Sequence, residues 1–204
     1  MPIQQSPSYT LSLNTTTTPL IFNEMTEACV LFIDMQDFTK FTRNKSDKAI
    51  LHALHYCYCL FDSIIDNYAA RPIKYNGDAC IILLETGKNC ASSTIENSLY
   101  LYDSLNSAFA ELCHLYNVKS ALRGGLAFGP VLSGKIGSKT SHFDIWGHTV
   151  NLAARLEQSA PPNTLLMNNA CYERMLNPTL CDAITLELKG FVQQQVYKYH
   201  KRET

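Results

Sequence analysis

The spacing of apolar residues changes period several times along the chain, and each change marks an element. "VLFIDMQDFTKF" (30–41) opens on four consecutive apolar residues, Val30 to Ile33, the pattern of a strand buried inside a sheet, and the run stops on a carboxylate, Asp34. "DFTKFTRN" then reads as a helix start. In "DKAILHALHYCYCLFDSIIDNYAA" (47–70), Ile50, Leu54, Cys57, Phe61, Ile64 and Ile65 share one face at helical spacing, which predicts a long amphipathic helix. "RPIKYNGDACIILLE" (71–85) reads as two short strands with a turn at Asn76-Gly77, where glycine supplies the positive φ that a two-residue hairpin needs. A second helix is expected over "SSTIENSLYLYDSLNSAFAELCHLYN" (92–117), with Leu101, Leu105, Ala108, Leu112 and Leu115 inward.

The glycine-punctuated stretch 120–147 is strand-rich and leads into a third helix, "HTVNLAARLEQSA" (148–160). "NTLLMN", a short helix over "NACYERML", and the strands "AITLELKG" and "QQQVYKYH" complete the order. Alternating strands and helices with at least two hairpins predict an α/β sandwich, sheet on one side and helices on the other. Residues 1–20 are rich in Ser, Thr, Pro and Gln and lack a sustained apolar period, so they read as a flexible arm or one edge strand, with the domain over 21–204.

Composition narrows the function. With 204 residues, 46% of them apolar, the chain can bury roughly 70% of its unfolded surface, enough for one core. Seventeen basic side chains face eighteen acidic ones, so no global field draws the protein to nucleic acid or an anionic membrane, and an anionic ligand must be held by local groups. No stretch approaches the roughly 18 apolar residues of a membrane span and no leader pattern opens the chain, so a cytosolic location is expected. The eight cysteines form no C-x-x-C pair and read as reduced, mostly buried thiols.

Two constellations carry chemistry. Asp34 ends one strand, and Asp78 follows the hairpin glycine ahead of the apolar run Ala79 to Leu84. If those strands are neighbours, both carboxylates leave one edge of the sheet a few ångströms apart, where their repulsion raises a pKa or is relieved by a cation. Oxygen ligands without accompanying His or Cys point to Mg²⁺ or Mn²⁺, shared with substrate phosphates, although each acid taken alone is equally a turn or helix cap. In "FDIWGHTVNLAARLE", Asn151 and Arg155 stand i and i+4 on one helix face. An amide that both donates and accepts suits a sugar, and a guanidinium fork suits a phosphate changing charge; a solvated polar face is the plain alternative.

"VLFIDM…FT", "KYNGDA", "RGGLAFGPVLSGKIGS", "FDIWGHTVNLAARLE" and the terminal "LKG" resemble, in that order and over residues 28–199, the catalytic domain of class III nucleotidyl cyclases, the adenylyl and guanylyl cyclase family. The resemblance implies a ferredoxin-like βαββαβ core, with the sheet covered by helices and C-terminal additions. It also implies two Mg²⁺ or Mn²⁺ ions per site on Asp34 and Asp78 with the carbonyl of Met35, and a nucleoside triphosphate cyclised by in-line displacement. Asn151 would orient the ribose and Arg155 would stabilise the α-phosphate. The amides of Phe38 and Thr39, with Lys139 and, less directly, Lys189, would hold the remaining phosphates.

Family members acting on ATP carry a Lys in K-x-x-G-D and an Asp before Trp-Gly, where guanylyl cyclases carry Glu and Cys. Lys74 and Asp144 match the adenine pattern, so ATP is the first expectation. Cytosine also offers a ring acceptor and an exocyclic amine, and the family includes pyrimidine cyclases of bacterial antiphage defence acting on UTP or CTP. Sites in the family lie between two catalytic domains, implying a head-to-tail homodimer in which Asp34 and Asp78 face Lys74, Asp144, Asn151 and Arg155 of a partner copy. A catalytically silent nucleotide-binding module is the alternative of another class. A polymerase-like palm is set aside, because the "GGDEF"-type hairpin is missing and "DIWGHTVNLAARLE" has no role there. One departure stands out: the family most often has Gly where this chain has Asp37, for which a helix-capping role is expected.

Overall fold

The computed structural model describes residues 22–38, 42–43, 45–87, 90–136 and 142–201. The arm expected over 1–20, Thr39 and Lys139 lie outside these residues. In chain order the elements are β1 (Phe22–Gln36), α1 (Asp47–Ile65), β2 (Arg71–Asn76), β3 (Ala79–Glu85), α2 (Ala91–Leu115), β4 (Ala121–Ile136), β5 (His142–Trp146), α3 (His148–Ser159), β6 (Thr164–Asn168), α4 (Asn169–Tyr172), β7 (Cys181–Leu186) and β8 (Gln194–Tyr199). They form one sheet in the order β2-β3-β1-β4-β6-β8-β7, with β5 paired to β4 beside that path. The first four strands reproduce the ferredoxin-like βαββαβ order, and all pairings are antiparallel except β4 with β6.

Alternation along β1 explains the layers. Cys29, Leu31, Ile33 and Met35 point to one face, where Cys57 and Phe61 of α1 and Leu99, Leu105 and Phe109 of α2 cover them. Ala28 and Val30 point the other way and meet Val150, Leu152, Ala153 and Leu156 of α3. The sequence expectation of helices on one side only is thus corrected, since α3 covers the opposite face. Gly125 of β4 makes that packing close: a Cβ there would lie 2.2 Å from the Ala153 carbonyl oxygen and 2.3 Å from the Glu157 nitrogen. Any side chain would push α3 off the strand.

Local signals place the helices well. Ser46 caps α1, its hydroxyl accepting from the Ala49 N–H at 3.3 Å, and Asp47 sits in the first turn where the helix dipole favours an acid. Two boundaries and one buried position differ from expectation. β1 does not stop at Asp34 but runs to Gln36, because Met35 and Gln36 continue the pairing with Leu122 and Ala121 of β4. The two loop residues of the hairpin are Gly77 and Asp78, flanked by the Asn76–Ala79 pair, with Gly77 at φ 66. Leu115 is 73% exposed, since the inward stripe of α2 passes through Ile95, Leu99, Tyr102, Leu105, Phe109 and Cys113 and leaves it on the far side of the helix, roughly 160° from Cys113. All eight cysteines are free, five of them buried.

Candidate active site

β1, β3 and β4 converge on Asp34. It lies opposite Ala79 on one side and Arg123 on the other, and the Met35 N–H donates to the Asp78 carbonyl at 3.2 Å. The two aspartates are therefore neighbours at the end of β1. Arg123 donates to Asp34 Oδ2 from Nε at 2.9 Å and lies against it through Nη2 at 2.8 Å. Burial raises the Asp34 pKa above the usual carboxylate value, the Asp78 charge raises it further, and Arg123 partly offsets both.

A third acid joins them. Glu157 of α3 is 6% exposed, and its Oε1 lies 2.9 Å from Arg123 Nε. The single Nε–H points to Asp34, so this buried oxygen has charge contact without a hydrogen bond. Its pKa is pushed up to about 7, first by burial and then by the charges of Asp34 and Asp78, with Arg123 pulling the other way. Two carboxylates thus share one guanidinium, with the Asp78 charge acting on both, a surplus of negative charge that a further cation would relieve. Among the described residues no three His, Cys, Asp or Glu side chains form a metal-holding group. Two carboxylates with a main-chain carbonyl and no thiolate or imidazole fit a hard cation that completes its shell with water or phosphate. Met35 is 1% exposed with its side chain in the core, so any ligand it offers comes from the backbone.

The second pair also meets. Lys74 Nζ donates to Asp144 Oδ2 at 2.6 Å across β2 and β5, and Asp144 Oδ1 accepts from the Ile145 N–H at 2.9 Å. Beside them the Arg71 guanidinium lies 3.8 Å from the centre of the Phe143 ring, a cation–π contact that ties the same two strands.

Asn151 and Arg155 share the outer face of α3, where Arg155 Nη1 donates to Gln158 Oε1 at 2.6 Å. At about 100° per residue, Arg155 and Asn151 leave the helix roughly 160° and 120° from Glu157. Because Glu157 faces Arg123 and Asp34, the outer pair points away from the two aspartates of its own chain. Phe38 is half-buried against the α1/α2 core. Lys189 is exposed on the β7–β8 connection, and no described contact brings it to either acid pair. Asp37 is exposed at φ 62, the left-handed conformation that glycine takes freely and that Asp tolerates better than most residues.

Arg123 and Glu157 were not singled out by pattern reasoning. Arg123 is the first of two cations in β4 and stands directly before its double glycine in an apolar stretch. Glu157 sat two residues beyond Arg155 with nothing local to mark it as buried.

A sequence model of the family described as "Adenylate and Guanylate cyclase catalytic domain" matches residues 21–200. An adenylate cyclase of Mycobacterium tuberculosis is 30% identical over 156 residues, 76% of this chain and 35% of that protein, so the chain spans about a third of that relative's length. The receptor-type guanylate cyclase gcy-13 of Caenorhabditis elegans is 26% identical over 84% of this chain and 16% of its own. Among solved structures, the adenylyl cyclase CyaB of P. aeruginosa superposes with a TM-score of 0.81 at 18% identity, over 90% of this chain and 98% of that one. The guanylate cyclase domain of RhGC from Catenaria anguillulae, in complex with GTP, gives 0.78 at 20% identity over 89% and 100%. At these identities the structural likeness speaks for the fold.

Proposed function

Because the chain belongs to the adenylate and guanylate cyclase catalytic domain family, we propose that it converts a nucleoside triphosphate, ATP first, to its 3′,5′-cyclic monophosphate and pyrophosphate, in sites shared by two copies of the chain. The ribose 3′-oxygen bonds to the α-phosphorus as the bond to the bridging oxygen of the β-phosphate breaks. The 3′-hydroxyl loses its proton, and pyrophosphate carries off the electron pair. No protein nucleophile takes part. Asp34 and Asp78, with the carbonyl of Met35, would hold two Mg²⁺ or Mn²⁺ ions, which when bound supply acidity to the 3′-hydroxyl and neutralise the reacting phosphates.

The chain's own side chains do the rest. Asn151 orients the ribose, and Arg155 stabilises charge gathering on the α-phosphate, a preorganised contribution of several kcal/mol, on the order of those measured for oxyanion donors. The Phe38 amide serves the terminal phosphates; the same role for Thr39 and Lys139 rests on their sequence positions, and Lys189 remains a candidate on the same ground. The opposed directions of Glu157 and Arg155 on α3 support sharing. One helix braces the acids of its own chain through Arg123 and presents its arginine outward to a second copy's acids, as a head-to-tail homodimer requires.

The Lys74–Asp144 contact carries the choice of base. An ammonium donates to adenine N1 and a carboxylate accepts from the N6 amine, so adenine can part an exposed ion pair that is itself worth only about 0–1 kcal/mol. Guanine and uracil present the reversed pattern at those edges. Cytosine presents the same one, which keeps CTP as the second reading. Incubating the protein with each of the four nucleoside triphosphates and Mn²⁺ and separating the products tests this. Cyclic AMP in excess is expected, cyclic CMP would favour the second reading, and no cyclic product from any of them would leave a silent nucleotide-binding module.

A further inference from the structure

The two-residue loop Gly77-Asp78 carries the second acid, and packing does not hold its tip: a Cβ built on Gly77 would meet nothing within 4 Å. Two hydrogen bonds hold it instead. The Tyr58 hydroxyl of α1 donates to the Gly77 carbonyl at 2.6 Å, and the Met35 N–H donates to the Asp78 carbonyl at 3.2 Å. The first carbonyl belongs to the planar peptide that ends on the Asp78 nitrogen, and the second to the planar peptide that begins at Asp78. Both backbone torsions of Asp78 are thereby set, and with them the direction in which its carboxylate leaves the chain.

Tyr58 is itself preset. Its ring stacks on Tyr75, centroids 3.9 Å apart and planes 29° from parallel. The Tyr75 hydroxyl in turn donates to Asp62, one helical turn along α1 from Tyr58. Burial raises the Tyr58 pKa well above its ordinary value, so the hydroxyl keeps its proton and remains a donor. The same hydroxyl also lies 3.5 Å from the Ala79 carbonyl, on the other side of Asp78, so both of its backbone partners flank that residue, while the stack with Tyr75 and the edge contact with Phe61 use only the ring.

We infer that Tyr58 is a positioning residue for Asp78, holding through the Gly77 carbonyl the geometry in which that carboxylate takes a divalent cation. The inference rests on the metal-dependent reading above. It concerns a residue on the opposite face of the sheet from α3, with no direct part in the chemistry.

Tyr58→Phe removes the hydroxyl and keeps the stack. Tyr68→Phe is the matched control, because the Tyr68 hydroxyl ties the chain just beyond α1 to the Tyr100 carbonyl at 3.2 Å and to Ser104 Oγ at 2.7 Å, away from the hairpin. Binding is read directly, as loss of the free Mn²⁺ electron paramagnetic resonance signal on titration of the whole chain, beside the Mn²⁺ dependence of turnover. Tyr58→Phe is expected to weaken Mn²⁺ binding about tenfold, the usual scale for a residue that orients a ligand, with kcat at saturating Mn²⁺ within about twofold of the parent and Tyr68→Phe unchanged. Unaltered Mn²⁺ affinity in Tyr58→Phe, equal weakening in Tyr68→Phe, or a parent chain that takes up no Mn²⁺ each overturns the inference. If Mn²⁺ binding weakens as expected while the parent cyclises no nucleotide, the positioning role stands and the cyclase reading falls. If the parent cyclises and its Mn²⁺ curve does not move in Tyr58→Phe, this inference falls alone.

Discussion

Arg123 and Asp34 face each other across β4 and β1, with the Arg123 Nε and Nη2 at 2.9 and 2.8 Å from a single Asp34 oxygen. The guanidinium occupies the carboxylate that the proposed metal site needs, and it is also the nearest positive charge to buried Glu157. A metal bound there would therefore compete with the arginine for Asp34 while relieving the same surplus of negative charge.

Arg123→Ala leaves Asp34 and Glu157 without the guanidinium they share, beside the charge of Asp78. Removing one partner of a largely buried ion pair costs about 3 kcal/mol, which in a chain of this size lowers the melting temperature by about 6 to 12 °C. Millimolar Mn²⁺ should return more of that loss in the variant than it adds to the parent, because a cation can stand in for the guanidinium. Thermal unfolding with and without Mn²⁺ reads both effects.

Glu157 titrates near 7 in the folded chain against an ordinary 4.5, so between those values the folded state holds a proton that the unfolded state has lost. Stability is therefore greatest at the acid end of this window and falls as pH rises through about 7; Asp34, also raised, acts in the same sense. The Glu157 contribution lost on the way to pH 8 is about 3 kcal/mol. Glu157→Gln should flatten the melting temperature between about pH 5 and pH 8; a variant as steep as the parent would assign the slope to other groups.

Asp34→Ala and Arg155→Ala proteins, each nearly inactive alone, should recover activity when mixed. Random exchange puts half the dimers in mixed form, each with one intact site of two, so recovery of about a quarter of parental activity is expected. Silence of the mixture, with subunit exchange shown by a labelled chain, would mean that the two residues serve one site within one chain.

Lys74→Glu with Asp144→Cys reverses the donor and acceptor offered to the base. The ratio of kcat/KM for GTP over ATP should rise by about a hundredfold, on the scale set by hydrogen-bonding partners left unmatched in a buried site. Either change alone should lower ATP turnover without opening the site to GTP, since each leaves one mismatched edge.

Much of this molecule was legible residue by residue. The helical stripe through Cys57 and Phe61, the apolar run before Asp34 and the glycine at 77 each encode a local shape, and local shape follows from spacing and backbone freedom. No local pattern announces the meeting of Lys74 with Asp144, which comes from β2 lying beside β5. Placing all helices on one side went wrong because the stripe on 148–160 says that a face is buried, not which face of the sheet buries it.

By itself the sequence determined the order of strands and helices, the hairpin that carries Lys74 and Asp78, and the helix face shared by Asn151 and Arg155, all of which depend on neighbours a few residues apart. Only the tertiary structure decided that Arg123, 89 positions from Asp34, lies opposite it, that Glu157 is buried against that guanidinium, and that Tyr58 reaches the Gly77 carbonyl. Those contacts are set by the register of β1 against β4, the close seat of α3 on Gly125 and the docking of α1 on the hairpin. Register and docking come from the summed fit of a whole interface, so no single stretch of chain contains them.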